Sequence, residues 1–385
     1  MANGRTILLA GGGTGGHIFP NMAVLERLRE HGADIEPHFI VSTRPLDAAI
    51  LDKQSLAYTP LDVQPWPRYP WRWPGFFRAW RDSVAFMDRL IAERGVTAVI
   101  ATGGFVSGPV AIAAERAGVP VLLVNLDAVP GRSNSMLARH ATTIFTAYDV
   151  SRWREAQRIG VPVRRSALAN TTAAEARKEL DLDADTQTLL VTGASQGAQS
   201  VNRMMIEIAG YTHTRRVLRE WQVLHLAGDK DLVDLRKAYE RAGIRAVVEP
   251  FCDRMGLAWG AASVAVRRAG AGRVAEVWYN AVPTIFLPYP HHRDDHQRLN
   301  AEPLVASGGA KLFADLVDPE ANAKQVGLPL VTLMSNAPQR AGMRDILQRS
   351  RPEDGAETVA RAVMKAVEKG SSISATERPS QRAQV

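Results

Sequence analysis

The amino-acid sequence predicts an α/β protein made of two doubly wound parallel-sheet domains that face a cleft. Short β-rich apolar runs alternate with amphipathic helical stretches from RTILLA (5–10) to PVLLVNL (120–126), and again from QTLLVT (187–192) to PTIFLPY (283–289). Each half also opens with an apolar strand, a glycine-rich turn and a helix. Because alternating strands and helices favour a parallel sheet covered on both faces, two such sheets are expected.

The length of the chain and the place where its pattern fades set the predicted domain boundaries. A chain of 385 residues is too long for one ordinary core. The first domain is therefore predicted at 1–163 and the second at 164–339. A last helix, at about 340–369, is expected to pack back on the first domain. The Ser-, Gln- and Arg-rich tail 370–385 is expected to be disordered.

The composition narrows the class of protein. Hydrophobic content of 46% and charged content of 23% are typical of a soluble globular protein. Cys252 is the single cysteine, which excludes an intramolecular disulfide and fits a reducing cytosol. The apolar stretch ILLA (7–10) is too short for a signal peptide, and no membrane-spanning helix is expected. The net charge of +7 indicates an acidic partner: nucleic acid, a phosphorylated substrate or an anionic membrane.

The first glycine-rich turn, GGGTGGH (11–17), indicates a ligand site. Glycine lets the backbone turn tightly and approach an anion closely, and the following helix adds its positive N-terminal end. His17 then lies where a general base is useful. The simpler alternative is that His17 caps the helix and packs against Phe19. The place of His17 in the turn after the first strand favours the catalytic interpretation.

Residues 11–16 also match G-x-G-x-x-G, so a dinucleotide-binding enzyme is an alternative. That pattern calls for an acidic residue at the end of the second strand, where it holds a ribose. The second strand here ends in VSTR (41–44), which has no carboxylate. Arg44 would suit a 2′-phosphate, and an NADP enzyme therefore stays open.

A second glycine-rich turn, TGGFVSGP (102–109), follows another predicted strand. Its glycines, Gly104 among them, allow close backbone approach, and Ser107 offers a hydroxyl. The alternative is a tight strand–helix turn that binds no ligand.

In the second half, the chain carries groups that suit a nucleotide sugar. Ser195 and Gln196, within GASQGAQ (193–199), offer a hydroxyl, an amide and helix-end N–H groups to a diphosphate. Glu276 lies one turn into the helix of RRAGAGRVAEV (267–277). It is placed to accept hydrogen bonds from a ribose diol, and the alternative is that it complements the helix dipole.

The stretch PYPHHRDDHQRLNA (288–301) invites a metal interpretation. Its three His and two Asp lie too close together in sequence for several to reach one ion. Two D-x-D pairs also occur, at Asp181/Asp183 and Asp229/Asp231. Both pairs are expected to be solvated turns and caps. No bound metal or cofactor is therefore expected, and Gln297 and Asn300 are expected to line a sugar pocket.

The stretch PWPRYPWRWPGFFRAWRDSVAFMDRL (65–90) interleaves aromatic residues with arginines and holds half of the eight Trp of the chain. A membrane interface selects this combination, and core packing and nucleic-acid stacking are the alternatives. Its prolines prevent a buried regular element through Trp73. The nucleotide-sugar character of the other motifs favours the membrane. The predicted membrane residues are Trp66, Trp71, Trp73, Phe76, Phe77 and Trp80.

Taken together and in order, these motifs resemble the signatures of the MurG family. That family consists of peripheral membrane glycosyltransferases of the GT-B fold, with two Rossmann-like domains facing a cleft. They move N-acetylglucosamine (GlcNAc) from UDP-GlcNAc onto lipid I, which gives lipid II of peptidoglycan synthesis. The resemblance runs from about residue 5 to 367. It is carried by GGTGGHIFP (12–20), GGFVSGP (103–109), GASQGAQSVN (193–202), RAGAGRVAE (268–276) and PYPHHRDDHQRLNA (288–301), with partial matches at PGRSN (130–134) and GVPVR (160–164).

The resemblance implies a role for each matching residue. The implied acceptor-side residues are Thr14, Gly15, Gly16, His17, Gly104, Ser107 and Asn134. The implied donor-side residues are Arg164, Ser195, Gln196, Phe251, Met255, Gly270, Glu276, Gln297 and Asn300. Among them His17 is the suspected base, Phe251 and Met255 flank the uracil, and Glu276 binds the ribose hydroxyls.

The chain departs from the family pattern on the acceptor side. Where the family usually reads H-E-Q-N before G-x-x-N, this chain has VNLDAVPGRSN (124–134). Val124 and Asn125 replace the His and the Glu, and Asp127 replaces the Asn. Asp127 is expected to assist His17. The donor half is better preserved, so the use of a UDP sugar is the firmer expectation.

The implied reaction is an inverting, metal-independent transfer from UDP-GlcNAc to the 4-hydroxyl of the N-acetylmuramic acid (MurNAc) in lipid I, the polyprenyl-diphosphate-linked MurNAc-pentapeptide. An anionic inner-leaflet surface is the further implied partner, which would put the protein at the cytoplasmic face of the inner membrane. Other cell-wall enzymes are possible partners, and nucleic acid is not expected. Three alternatives stay open: a GT-B enzyme with another lipid acceptor, a sugar-nucleotide epimerase, and a non-catalytic membrane-binding homologue.

Overall fold

A computed structural model describes residues 5–64, 66–67, 69–193, 197–291 and 294–376. The chain divides into two compact units. The first unit comprises 1–126, 130–162 and 354–385, and the second comprises 127–129 and 163–353. The chain thus passes to the second unit after Pro162 and returns at Asp354, later than the predicted return at 340.

The first unit is built on a seven-stranded sheet. Its strands are β1 (Arg5–Gly11), β2 (Ile35–Ser42), β3 (Tyr58–Leu61), β4 (Val96–Gly103), β5 (Val121–Asn125), β6 (Thr143–Thr146) and β7 (Gln157–Arg158). The order across the sheet is β3-β2-β1-β4-β5-β6-β7, and every neighbouring pair is parallel. Residues 7–10 of the central β1 are fully buried, as expected of a strand covered on both faces.

Helices connect these strands. They are α1 (Gly15–Glu30), α2 (Pro45–Asp52), α3 (Trp73–Arg94), α4 (Ser107–Arg116) and α5 (Arg132–Leu137), with a short 3₁₀ helix at Pro70–Arg72. The C-terminal helix, Gly355–Thr376, also belongs to the first unit. Arg27 of α1 is buried and pairs with Asp354 at 2.8 Å, and His31 lies 2.8 Å from Glu357. These contacts hold the C-terminal helix on α1.

The second unit repeats the arrangement with six strands. They are β8 (Thr188–Thr192), β9 (Gln222–Leu226), β10 (Arg245–Glu249), β11 (Ala262–Arg267), β12 (Thr284–Phe286) and β13 (Ala310–Leu312). The order is β10-β9-β8-β11-β12-β13, and the pairs are again parallel. Both sheets therefore reverse their strand order beside their first strand, at β1/β4 and at β8/β11. Open α/β sheets bind ligands at the carboxyl ends of strands at such a switch point.

The helices of the second unit follow in chain order. They are α6 (Ala173–Lys178), α7 (Gln199–Gly210), α8 (Thr212–Arg219), α9 (Leu232–Ala242), α10 (Met255–Ala261), α11 (Ala271–Asn280), α12 (His296–Ala306), α13 (Pro319–Ser335) and α14 (Ala337–Arg349), with a 3₁₀ helix at Arg165–Ala167. The helix that packs on the first unit, Gly355–Thr376, is the fifteenth and is named α15.

The C-terminal region differs from the sequence prediction in two ways. The predicted helix 340–369 is two helices, because the chain breaks between α14 and α15 at residues 350–354, which include Pro352. Only α15 lies in the first unit, whereas α14 stays in the second. The predicted disordered tail also begins too early, since α15 continues to Thr376. Residues 377–385 lie outside the described part of the chain.

Candidate active site

The base candidate of the first unit lies at the switch point of its sheet. β1 ends at Gly11 and β4 ends at Gly103, so the turns that follow them are neighbours. Thr14 is the residue before α1, and His17 lies in the first turn of that helix. The Thr14 side chain makes no capping hydrogen bond and is exposed. The glycine-rich motif therefore presents His17 at the edge of the sheet where ligands bind.

The His17 ring is oriented by a backbone carbonyl. Its Nδ1 lies 3.1 Å from the carbonyl oxygen of Thr102. Because a carbonyl oxygen accepts only, Nδ1 carries the proton in the neutral ring and Nε2 carries the lone pair. Nε2 is the nitrogen that a general base needs. The ring bonds to β4, which the alternative of a helix-capping His17 does not predict.

Thr102 and Asn21 support the main chain of His17. The Thr102 hydroxyl donates to the His17 carbonyl at 2.7 Å. The Asn21 Nδ2 donates to the same Thr102 oxygen at 3.2 Å. Thr102 and Asn21 are both buried. Sequence reasoning missed these two residues, because neither Thr nor Asn carries a sequence signal for supporting a histidine.

Glycine is required in the second turn, where the structure leaves no room for a side chain. Gly103 has a φ of +111°, and a Cβ there would lie 2.6 Å from Asn134 Oδ1 and 3.2 Å from His17 Cε1. Gly104 has a φ of +82°, and its Cβ would lie 2.6 Å from the Gly12 carbonyl oxygen. The two glycine-rich turns therefore pack against each other and against the His17 ring.

Ser107 and Asn134 hydrogen-bond to neighbouring protein groups around these turns. The Ser107 hydroxyl is buried and donates to the carbonyl oxygens of Gly103 at 2.7 Å and Ala10 at 3.2 Å. Asn134 is buried and donates from Nδ2 to Asn125 Oδ1 at 2.9 Å. The acceptor-side roles of Ser107 and Asn134 stay predictions. The turn carbonyls need donors, and the hydroxyl supplies one.

The groups that an NADP site would use are already engaged. Arg44 Nη1 donates to the Gly13 carbonyl oxygen. The Gly13 amide donates to Asp47 Oδ2 at 2.6 Å, and the Ser42 hydroxyl donates to the same oxygen at 2.6 Å. A buried carboxylate, Asp47, therefore occupies the turn where a phosphate would bind. This geometry disfavours the dinucleotide interpretation.

In the second unit, the turn after β8 is the expected diphosphate site. Residues Ser195 and Gln196 lie outside the described part of the chain. The neighbouring Ser200, in the first turn of α7, accepts a hydrogen bond at 2.7 Å from Arg268 Nη2. Arg268 also pairs with Asp315 at 2.6 Å, and both side chains are buried. The Arg268–Ser200 hydrogen bond ties the start of α7 to the end of β11, and the ion pair adds Asp315, which follows β13.

Glu276 is held by two residues that the sequence analysis did not single out. Its Oε2 accepts from Arg267 Nη1 at 3.0 Å and from Trp259 Nε1 at 3.3 Å. The Arg267 side chain is 3% exposed, and that of Glu276 is 21% exposed. Burial lowers the pKa of Arg267, and the Glu276 carboxylate opposes that shift. A buried cation therefore orients the Glu276 carboxylate, which is predicted to bind the ribose.

The start of α11 is electropositive. Gly270 immediately precedes this helix, and Arg273 lies in its first turn. Burial, with Arg267 adding to the effect, lowers the pKa of Arg273 to about 10, so its guanidinium remains charged near neutral pH. A helix N-terminus beside arginines suits an anionic group.

Three further donor-side residues lie in loops or at helix starts. Arg164 immediately precedes the 3₁₀ helix 165–167 and is half-buried. Phe251 follows β10 and is 51% exposed, which leaves its ring available to a base. Met255 begins α10 and is half-buried.

Gln297 and Asn300 of α12 are engaged with the protein. The Gln297 Oε1 accepts from the Tyr289 amide at 3.0 Å. Asn300 is fully buried, its Oδ1 accepts from the Ala128 amide at 2.8 Å, and its Nδ2 donates to Asp127 Oδ1 at 2.9 Å. In this structure the Asn300 amide thus holds segment 127–129 instead of facing outward to a sugar.

Three of the side chains considered for a metal, Asp294, Asp295 and His296, are paired with neighbours, and His292 lies outside the described part of the chain. Asp294 bonds to His296 at 2.7 Å, and Asp295 pairs with Arg298. Within the described ranges, no group of three or more His, Cys, Asp or Glu side chains could hold a metal ion. Asp183 caps the turn that includes Thr186, as predicted. Asp231, however, is buried and accepts from Asn202 at 2.8 Å, so it is not a solvated cap.

The aromatic stretch of the first unit is exposed. Trp71 is 75% exposed and stacks on Tyr69 with ring centroids 4.6 Å apart. Trp66 is 51% exposed and contacts the rings of Trp73, Phe76 and Phe77. Phe76 also contacts Trp80, and both are half-buried. No helix in the described ranges is long and apolar enough to cross a bilayer.

Comparison with known proteins defines the class. Residues 7–146 match the glycosyltransferase family 28 N-terminal domain, and residues 188–359 match the glycosyltransferase family 28 C-terminal domain. The fold is similar to that of Acinetobacter baumannii MurG, with a TM-score of 0.70 and 23% identity over 94% of this chain and 99% of that one. A putative UDP-N-acetylglucosamine 2-epimerase from Listeria monocytogenes shares the fold at a TM-score of 0.63 and 13% identity, over all of both chains. Two Rossmann-like units with these domains define a glycosyltransferase of the GT-B fold.

The curated relatives narrow this class to one family. A protein of *Acidothermus cellulolyticus* is 33% identical over 353 residues, which are 89% of this chain and 94% of the relative. One of *Clavibacter michiganensis* is 36% identical over 320 residues, which are 80% and 83%. Both are named UDP-N-acetylglucosamine–N-acetylmuramyl-(pentapeptide) pyrophosphoryl-undecaprenol N-acetylglucosamine transferase. The chain belongs to this family, the MurG family.

Proposed function

We propose that this chain transfers GlcNAc from UDP-GlcNAc to the MurNAc 4-hydroxyl of lipid I, forming lipid II of peptidoglycan. The observation that carries the proposal is the family match, which covers nearly the whole chain and includes both domains. The switch-point residues support it, because one unit presents a base and the other presents a carboxylate beside an electropositive helix start.

His17 is the proposed base. Its Nε2 lone pair accepts the proton of the MurNAc 4-hydroxyl as the oxygen attacks C1 of GlcNAc. Help of this kind accelerates a reaction by about 10²- to 10⁴-fold. Attack on the face opposite to the departing UDP inverts the configuration at C1. Thr14, Gly15, Gly16 and Gly104 are proposed to shape the surface that receives the acceptor.

Asp127 takes the place of a family residue on the acceptor side and is proposed to assist His17. Its carboxylate is oriented by the Asn300 amide, at 2.9 Å. Asn300 is thus proposed to act by orienting Asp127. Gln297 remains the residue of α12 that is proposed to face the sugar.

The donor is proposed to bind at the switch point of the second sheet. Glu276 takes the ribose, Phe251 and Met255 flank the uracil, and Arg164, Ser195 and Gln196 take the diphosphate. The departing diphosphate carries negative charge, which the N–H groups after Gly270 and the nearby arginines stabilise. These groups supply positive charge from the protein itself, and the proposal therefore assigns no bound metal or cofactor.

The first unit is proposed to dock on an anionic membrane, at the cytoplasmic face of the inner membrane. The exposed Trp and Phe rings suit headgroup depth. A cationic cavity adjoins them, lined by Pro130, Arg132, Ser135, Met136, Arg139 and Arg152. Met136, which lines this cavity, and Trp80 both lie beside Gly108. Anionic headgroups would pair with these arginines while the rings insert.

The test is UDP release from UDP-GlcNAc with and without lipid I. We expect UDP and lipid II only when lipid I is present. An epimerase would interconvert the sugar without any acceptor, and that result would refute the proposal. A non-catalytic homologue would bind vesicles of anionic lipid and release no UDP. If UDP is released only with a different polyprenyl-linked acceptor, the donor assignment stands and the acceptor assignment falls.

A further inference from the structure

The two carboxylate oxygens of Glu276 are used unequally. Oε2 accepts two hydrogen bonds, from Arg267 at 3.0 Å and from Trp259 at 3.3 Å. Across the part of the chain that the structure describes, no protein group donates to Oε1. The Glu276 side chain is 21% exposed. The protein therefore fixes the carboxylate through one oxygen and leaves the other for a donor from outside.

Arg267 is held by burial and by its position over the Trp259 ring. It is the last residue of β11, its side chain is 3% exposed, and its guanidinium carbon lies 4.7 Å from the centre of the Trp259 ring. Its Nε is buried without a hydrogen-bond partner in the described ranges. A buried guanidinium is costly without a counter-charge, and the Glu276 carboxylate supplies that charge.

The Arg267–Glu276 pair lies where a ligand is expected to bind. Arg267 is in register with Thr192 at the end of β8 and with Phe286 at the end of β12. It thus stands at the carboxyl edge of the sheet, at the β8/β11 switch point, where a nucleotide is expected to bind. A guanidinium is planar and directs its N–H groups rigidly, so it can set the angle of a carboxylate.

We propose that Arg267 is a positioning residue for donor specificity: by holding Glu276 Oε2, with Trp259, it aims Oε1 at a ribose hydroxyl of the uridine diphosphate sugar. The inference rests on the proposed function, which assigns Glu276 to the ribose. A site built to bind a hydroxyl rejects the analogue that lacks it, because its buried polar groups are then left unpaired. Arg267 therefore makes the enzyme select ribonucleotide over deoxyribonucleotide donors.

The experiment measures the affinity of the full-length protein for UDP, 2′-deoxy-UDP and 3′-deoxy-UDP by calorimetric titration. For the unmodified protein we expect UDP to bind at least about tenfold more tightly than one of the two deoxy analogues. In Arg267→Met the side chain keeps its length and loses the N–H groups. We expect the preference to fall below about threefold, mainly through weaker UDP binding.

Arg177→Met is the matched control, because Arg177 is buried in the same unit near the opposite end of β11. Its guanidinium donates to Ala261 O at 3.2 Å, to Ala184 O at 2.9 Å and to Ser263 Oγ at 3.2 Å. Its loss removes a buried arginine without disturbing Glu276. We expect a lower melting temperature and an unchanged preference for UDP.

Trp259→Phe keeps a ring and removes the other donor to Oε2, so it decides the question if Arg267→Met does not fold. We expect its preference for UDP to fall as well. A folded Arg267→Met or Trp259→Phe protein that keeps the full preference would overturn the proposal. An unmodified protein that binds UDP with no preference would overturn it too. Failure of the unmodified protein to bind UDP at all would instead refute the proposed function.

Discussion

The two switch points of this enzyme hold their key side chains by different physical means. In the first unit, His17 is oriented by uncharged groups, a backbone carbonyl and the hydroxyl of Thr102. In the second unit, Glu276 is oriented by the buried cation of Arg267. Neutral hydrogen bonds contribute about 0.5–1.5 kcal/mol each, whereas loss of one partner of a buried ion pair costs several. Changes at the first switch point should therefore lower the reaction rate, and changes at the second should also lower the stability of the protein.

Replacement of His17 by Ala should give the largest effect on rate. We expect kcat to fall at least tenfold and by up to about 10⁴-fold, because the proton acceptor is gone. Donor affinity should stay nearly intact, since His17 lies in the first unit. Steady-state kinetics with lipid I and UDP titration measure the two effects. An unchanged kcat would remove His17 from the role of base, and a lost UDP affinity would contradict the assignment of the donor to the second unit.

Glu276→Ala tests the second switch point, where a buried cation orients the key side chain. The change leaves the Arg267 guanidinium buried without its partner, so we expect the free energy of unfolding to fall by about 2–3 kcal/mol. The KM for UDP-GlcNAc should rise as well. Denaturant titration and kinetics measure both. Glu353→Ala, a change in the same unit outside both switch points, should alter neither quantity. Equal stability of Glu276→Ala and the unmodified protein would show that the ion pair is not needed for folding.

A buried histidine of the second unit should make stability depend on pH. His225 is fully buried between Tyr239 and Asn202, and burial lowers its pKa to about 3. The unfolded chain binds a proton at His225 below pH ~6.5, and the folded chain does so only below about 3. Stability from this residue is therefore full above pH ~6.5 and is lost as pH falls towards 3, by up to about 1.4 kcal/mol per pH unit.

Denaturant unfolding at pH 7 and pH 5 measures this dependence, with His225→Gln as the matched variant. The difference between the two pH values should be smaller in the variant, because glutamine does not titrate. If the unmodified protein and His225→Gln show the same pH dependence, His225 does not carry it.

The sequence predicts the elements that repeat and misses the contacts between them. Strand–helix alternation and glycine-rich turns are local patterns, and they predicted the two parallel-sheet domains. The partners of the key residues are non-local: Thr102 reaches His17 from β4, and Trp259 reaches Glu276 from a different helix. Ser107 shows the same limit from the other side. Its hydroxyl also bonds to the Ala10 carbonyl oxygen of β1, a contact that its motif does not predict.

Thr102→Val tests the first switch point, where uncharged groups orient His17, and should give the smallest effect. Valine keeps the shape of threonine and removes the hydroxyl that bonds to the His17 carbonyl, while the backbone carbonyl that orients the ring remains. We expect kcat to fall by about three- to tenfold, which corresponds to the roughly 0.5–1.5 kcal/mol of one neutral hydrogen bond. Thr102→Ser restores the hydroxyl and should restore most of kcat. A loss as large as that of His17→Ala would mean that the hydroxyl, and not the backbone carbonyl, is what holds the base in place.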